Sequence, residues 1–218
     1  MKRSHRAYDG VKRVLDIAVA STLLVLLSPV LLVTAMLVRF KLGSPVLFRQ
    51  RRPGKAGKEF TLYKFRTMAP ASDAVGDAEA VASDSERLSQ FGRTLRATSL
   101  DELPELWNVV LGQMSLVGPR PLLVEYMERY DSVQARRHEV RPGITGWAQV
   151  NGRNAVDWGE RFAMDVWYVD NRSFGLDVRI LLMTVGVVAR PSGVSAEGSA
   201  TTQPFDPHAP EDQEKEHS

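Results

Sequence analysis

Hydrophobic and polar positions divide the chain into two unlike parts. Residues 17–38 form a run of 22 positions without a charged side chain. That is long enough for a membrane helix and too long for the apolar core of a signal peptide. A buried helix of a soluble protein would show a polar face at this length, and this run has none. Ser28-Pro29 interrupts it near the middle. Pro29 cannot donate a hydrogen bond to the carbonyl of Val25, and its ring crowds that carbonyl, so the helix is predicted to kink or break there. Each half would be about 11 residues, roughly 16 Å long, or about one leaflet deep.

Beyond this segment the pattern is that of an ordinary domain. Residues 45–52 and 58–65 read as two strands joined by the turn residues of PGKAG, which predicts a hairpin. Residues 69–90 are small, polar and acidic and read as a surface loop or loose helix. Helical spacing predicts a short helix over 103–111, one or two amphipathic helices over 122–140, and helices over 156–168 and 176–189. Residues 144–150 read as a short strand. The apolar stretch 180–189 is too short to span a bilayer. After Pro191 the composition turns to Ser, Thr, Pro and acids, and the end is expected to be disordered. The predicted fold class is therefore α+β, mostly helical, in three parts. These are a membrane-inserted N-terminal helix over 1–43, a compact helical domain with a short β-hairpin over 44–190, and an extension over 191–218.

Charge sharpens the picture. The net charge of +2 divides into +11 over residues 1–68 and −9 over residues 69–218. Such a basic third calls for an anionic partner: a bilayer surface, a nucleic acid or a phosphorylated substrate. Lysines and arginines lie on both sides of the apolar run, and positive charge marks the cytoplasmic side. With both flanks positive, the favoured topology is re-entrant: the segment enters one leaflet, turns at Ser28-Pro29 and returns. A plain span stays open, since membrane helices tolerate proline. The absence of cysteine excludes disulfides and thiolate chemistry. His5, His138, His208 and His217 are scattered, which speaks against a zinc site.

Candidate chemistry gathers between Arg96 and Arg120. Gly54-Lys-Ala-Gly57-Lys58 lacks the spacing of a phosphate-binding loop, and no G-x-G-x-x-G occurs. Asp101 and Glu102 are adjacent carboxylates. Ser99-Leu-Asp-Glu102 also matches a capping box, in which the acids would merely favour a helix N-terminus. Pro104 is awkward for that reading, because its nitrogen should already donate into the helix, so an irregular backbone is expected at the two acids. Lys64, Arg66, Arg93, Arg96, Arg120 and Arg141 all lie beside turns or element ends. Singly they would be solvated surface. Together with paired carboxylates they suit phosphoryl transfer, with cations holding phosphate oxygens and carboxylates serving as nucleophile or metal ligands.

These residues fall in a familiar order. Lys12-Arg13 with Asp16, Ser28-Pro29, Gly43-Ser-Pro-Val-Leu-Phe-Arg-Gln50, Lys64-Phe-Arg-Thr-Met68, Leu95-Arg96 and Ser99-Leu-Asp-Glu-Leu-Pro104 are followed by Met114-Ser-Leu-Val-Gly-Pro-Arg-Pro121 and Arg141-Pro-Gly-Ile-Thr-Gly-Trp-Ala-Gln-Val-Asn-Gly-Arg153. Over residues 11–190 the chain closely resembles the bacterial sugar transferases, the small monotopic phosphoglycosyl transferases. Glu105 stands where many members have Gln.

The resemblance implies a re-entrant N-terminal helix broken at Ser28 and Pro29, on the cytoplasmic face of the bacterial inner membrane. It implies a UDP-sugar donor, a polyprenyl phosphate acceptor (usually undecaprenyl phosphate) and the products polyprenyl diphosphate sugar and UMP. The reaction would start assembly of an exopolysaccharide, O-antigen or protein glycan. Asp101 would be the nucleophile of a ping-pong reaction through a phosphosugar-aspartyl intermediate. Glu102 would bind metal or activate the acceptor, and Mg2+ would sit with Asp101 and Glu102. Arg96 and Arg120 match phosphate contacts, and Lys64, Arg66 and Arg141 are further phosphate-binding candidates. An anionic membrane surface is an expected partner, nucleic acid is not, and a homodimer is compatible with the sequence. Two other readings stay open: a membrane-tethered binding protein without chemistry, and a hydrolase that passes the intermediate to water.

Overall fold

The structure is a computed structural model describing residues 2–68, 87–152, 157–189 and 205, without the side chains of residues 2–6, 188 and 189. Helices dominate. Helix α1 spans Lys2–Leu26 and α2 spans Ser28–Leu42. Their axes bend by 64° at Leu27. The break falls where Pro29 predicts it. The Ser28 hydroxyl donates to the carbonyl of Val25 at 2.8 Å, satisfying the oxygen that Pro29 cannot serve. No single helix among the described residues is long and apolar enough to cross a membrane, but this bent pair passes that test together.

The predicted hairpin follows. Strands β1 (Leu47–Pro53) and β2 (Glu59–Phe65) pair antiparallel, Leu47 opposite Phe65 and Pro53 opposite Glu59, about a tight turn at Lys55–Gly57. Helix α3 (Gln90–Ala97) was not predicted; it starts where the Ser89 hydroxyl accepts from the Gly92 amide. Of the predicted loop over 69–90, residues 69–86 lie outside the described residues. A 3-10 turn at Leu100–Glu102 leads into α4, Glu105–Val110. Strand β3 (Ser115–Val117) pairs parallel with β4 (Gly143–Thr145). Helices α5 (Trp147–Asn151), α6 (Trp158–Asn171) and α7 (Phe174–Ala189) are the last described elements.

Two expectations need correction. Residues 122–140 form two 3-10 segments, Val124–Arg129 and Gln134–Glu139, in place of amphipathic α-helices. The Asp131 carboxylate accepts from the amides of Val133 and Gln134, which makes a turn between them. Residues 144–150 are not one strand. β4 stops at Thr145, Gly146 lies against the backbone of residue 118, and α5 begins at Trp147.

Four apolar clusters hold the elements together. Ala20 of α1 packs with Phe60 and Leu62 of β2 and with Leu106 and Val109 of α4. Val38 of α2 packs with Phe65 and Leu95. Both arms of the bent pair therefore rest on the elements that flank the two carboxylates. Burial of each large side chain contributes about 1.5–3 kcal/mol. Val117, Val140, Tyr168 and Ile180 form a third cluster, and Leu122, Tyr126 and Phe162 close around Phe205 in a fourth.

The opposite surface of the helix pair is uncovered. Val25 is 72% exposed, Leu26 68% and Phe40 84%, and Leu32, Val33 and Met36 are also exposed. Val178, Leu182 and Val185 of α7 are exposed as well. Soluble monomers seldom leave so much large apolar surface in water.

Candidate active site

The two carboxylates sit on an irregular backbone. Ser99 has φ 56° and ψ 17°, a left-handed conformation, and its side chain caps nothing. The capping-box alternative therefore does not hold. The amide of Glu102 donates to the carbonyl of Ser99, and that of Leu103 to Leu100. The chain winds as a 3-10 turn through Asp101 and Glu102 and starts α4 only after Pro104. Pro104 has no amide hydrogen with which to join the two segments.

Asn108, fully buried on α4, sets this turn against the hairpin. Its amide nitrogen donates to Thr61 O at 2.7 Å, and its oxygen accepts from the Tyr63 amide at 3.1 Å. Lys64, the next residue on β2, thereby faces the carboxylates. Its ammonium lies 2.6 Å from Glu102 Oε1 and 3.1 Å from Glu105 Oε1. Arg120 donates to the same Glu102 oxygen at 2.8 Å. Arg96 donates to the Thr67 hydroxyl at 3.1 Å, and its charge also acts on Asp101.

Electrostatics differ across the three acids. Asp101 is 7% exposed and has no ion pair or hydrogen bond among the described residues. Burial and the neighbouring Glu102 push its carboxyl up to about 6, against the pull of Lys64, Arg120 and Arg96. Burial would also raise Glu102, but Arg120 and Lys64 outweigh it and hold that carboxyl low. Burial raises Glu105, since Lys64 serves it only in part. Burial would lower the Lys64 ammonium, and Glu102 and Glu105 reverse that. The result is one firmly ionised carboxylate clamped by two cations, beside a second carboxylate that no described residue pairs with.

Arg120 owes its place to glycine. A Cβ on Gly143 would stand 2.1 Å from the Gly118 nitrogen, and one on Gly118 would stand 2.4 Å from the Arg141 carbonyl. Only glycines let β3 and β4 approach so closely, and Gly118-Pro119-Arg120 leaves that contact directly. Arg137 fixes the loop from behind, donating to Arg120 O at 2.8 Å and to Asp165 at 2.6 Å.

Asp101, Glu102, Lys64, Arg96 and Arg120 thus come together. Three cation candidates lie elsewhere. Arg66 donates to the carbonyls of Leu42 and Ser44, tying the end of α2 to the start of β1. Arg141 donates to Gly112 O at 2.8 Å, past the far end of α4, beside Arg13. Arg93 donates to Leu88 O. Ser28 and Pro29 lie at the helix bend, and Arg153 lies outside the described residues. Sequence reasoning noted Glu105 only as an extra acid and missed Asn108, although one Asn inside an apolar helix was a visible signal.

Among the described residues no group of three or more acids or histidines forms a metal cage. A magnesium ion does not need one, since it commonly takes one or two carboxylates and completes its shell with substrate phosphates and water. Both cation contacts of Glu102 fall on Oε1, and Asp101 is unpaired. The donor set fits such an ion.

A Bacillus subtilis protein named uncharacterized sugar transferase EpsL is 52% identical over 195 residues, covering 89% of this chain and 95% of that protein. A Caulobacter vibrioides UDP-glucose:undecaprenyl-phosphate glucose-1-phosphate transferase is 42% identical over 187 residues, 82% of this chain and 70% of that protein. A Klebsiella pneumoniae protein of the same name is 44% identical over 182 residues, 80% of this chain but 39% of that protein. Residues 7–191 match the family described as bacterial sugar transferase. The chain belongs to the bacterial sugar transferase family.

Proposed function

We propose that this protein transfers a sugar phosphate from a UDP-sugar to polyprenyl phosphate at the cytoplasmic face of a membrane. The observation that carries the reading is the unpaired, buried Asp101 beside a carboxylate clamped by Lys64 and Arg120, on elements packed directly against a bent apolar helix pair. The substrates named for the Caulobacter vibrioides and Klebsiella pneumoniae relatives support it.

An oxygen of Asp101 attacks the sugar-bearing phosphorus. The bond from that phosphorus to the bridging oxygen breaks, and UMP leaves with the bond's electrons. A phosphate oxygen of the acceptor then attacks the same phosphorus, and the bond to Asp101 breaks to regenerate the carboxylate. Arg96 and Arg120 would hold the diphosphate, and Lys64 would keep Glu102 oriented toward it. Magnesium, held by Glu102 and Asp101 together with diphosphate oxygens, would neutralise charge on the phosphates.

The fold accounts for the meeting of a soluble donor with a membrane-borne acceptor. The bent pair sinks its exposed apolar side into one leaflet with both basic flanks on the same side. α4 packs on α1, so the carboxylates are held near the headgroups. Positioning of this kind supplies a large part of phosphoryl-transfer catalysis.

The test uses purified protein in detergent with Mg2+, polyprenyl phosphate and a panel of UDP-sugars. Release of UMP with one sugar, matched by sugar in the lipid fraction, supports the reading. Free sugar phosphate in place of lipid-linked sugar would mark a hydrolase, and no UMP with any donor would count against the reaction.

A further inference from the structure

A cleft of about 640 Å³ opens where α2 gives way to β1. Pro45, Val46, Leu47 and Phe48 make its apolar wall, and Arg49 and Arg66 its charged one. Neither arginine has a carboxylate partner within salt-bridge distance among the described residues. Arg66 is only 7% exposed, and its Nε finds no hydrogen-bond acceptor although the head of the side chain binds two backbone carbonyls. A buried donor left without an acceptor is costly to the fold. Arg49 is exposed, with its guanidinium 5.8 Å from the centre of the Tyr63 ring. Phe48 is 44% exposed, and Phe40 near the end of α2 is 84% exposed.

An anion alone would not need the apolar wall, and a neutral chain would not need two arginines without an acid. We infer that the cleft holds a single lipid phosphate, its head between Arg49 and Arg66 and its chain against Phe48 on the way to the exposed side of α2. The inference rests on the proposed membrane contact of α2. The cleft borders the active site, since Arg66 follows the last residue of β2 and lies two residues after Lys64, which sits beside Glu102. Two lipids carry the required chemistry: the polyprenyl phosphate acceptor, and an anionic phospholipid of the bilayer.

The experiment is native mass spectrometry of the full chain in neutral detergent, without UDP-sugar. The probes are a polyprenyl phosphate, the matching polyprenol, and phosphatidylglycerol. One equivalent of a phosphate-bearing lipid should bind, polyprenol should not, and Arg49→Glu should weaken binding about tenfold or more, or about 1.4 kcal/mol. Phe48→Ser serves as the second variant; both side chains are exposed, and circular dichroism checks that each variant folds. If polyprenyl phosphate is the bound lipid and the acceptor KM rises in Arg49→Glu, the cleft is an acceptor site. If phosphatidylglycerol is preferred and the acceptor KM is unaltered, it holds a resident lipid. Binding equal to wild type in both variants, or polyprenol binding as well as its phosphate, overturns the inference. Because the donor is absent, failure of the transferase reaction leaves this readout standing.

Discussion

His138 shows what burial does to one side chain in this fold. It packs beside Tyr130 and lies 3.3 Å from the Gly54 carbonyl, and burial together with the adjacent Arg137 lowers its pKa to about 4. Between pH 6.5 and 4 the unfolded chain therefore takes a proton that the native state refuses. Stability should fall as pH drops through that window, and His138→Gln should flatten this part of a plot of unfolding midpoint against pH. A wild-type profile unchanged by the substitution would show that other groups set it. The Arg137–Asp165 pair makes a sharper case. At 2.6 Å and 2–3% exposure, loss of one partner strands a charge, so Arg137→Met should destabilise by about 3–5 kcal/mol in denaturant melts. Residue identities such as Asp101 and Lys64 were readable from the sequence. Their partners were not, because a hydrogen bond from Arg66 to Leu42 or from Arg141 to Gly112 depends on distant chain segments meeting.

Elements were legible to the extent that local chemistry governs them. Ser28-Pro29 broke the apolar run where predicted, and the hairpin formed around its Gly-rich turn within two residues of expectation. Strand β3 was not predicted and β4 was seen only within a longer strand over 144–150, because their pairing depends on glycines more than on hydrophobic alternation. The 122–140 stretch misled for the reverse reason: its helical spacing is real, but Asp131 and the buried Arg137 impose turns. This gives a contrast between glycines. Gly143→Ala drives a Cβ to within 2.1 Å of backbone and should cost at least about 1–3 kcal/mol and displace Arg120, which protein yield, unfolding midpoint and UMP release would all record. Gly10→Ala meets nothing within 4 Å inside α1 and should stabilise by about 0.5–1 kcal/mol. Equal effects at the two positions would contradict the close approach of β3 and β4.

On the scale of the whole molecule, the charge division and the bent helix pair describe one arrangement. The basic third of the chain flanks the apolar bend, and the carboxylates rest on helices packed against it. With the bend in one leaflet, single cysteines at His5 and Lys55 should both be labelled only by reagents that reach the cytoplasm. Labelling of either from outside would replace the re-entrant arrangement by a span. The central claim is that Asp101 takes the sugar phosphate, and one measurement addresses it most directly. Wild type and Asp101→Asn are mixed with the preferred UDP-sugar and Mg2+ in the absence of acceptor, and UMP is counted against enzyme. The account predicts release of up to one equivalent from wild type and none from the variant, because the first half of the reaction needs the carboxylate of Asp101 but no acceptor. Release from Asp101→Asn equal to wild type, or no wild-type release until polyprenyl phosphate is added, would contradict it.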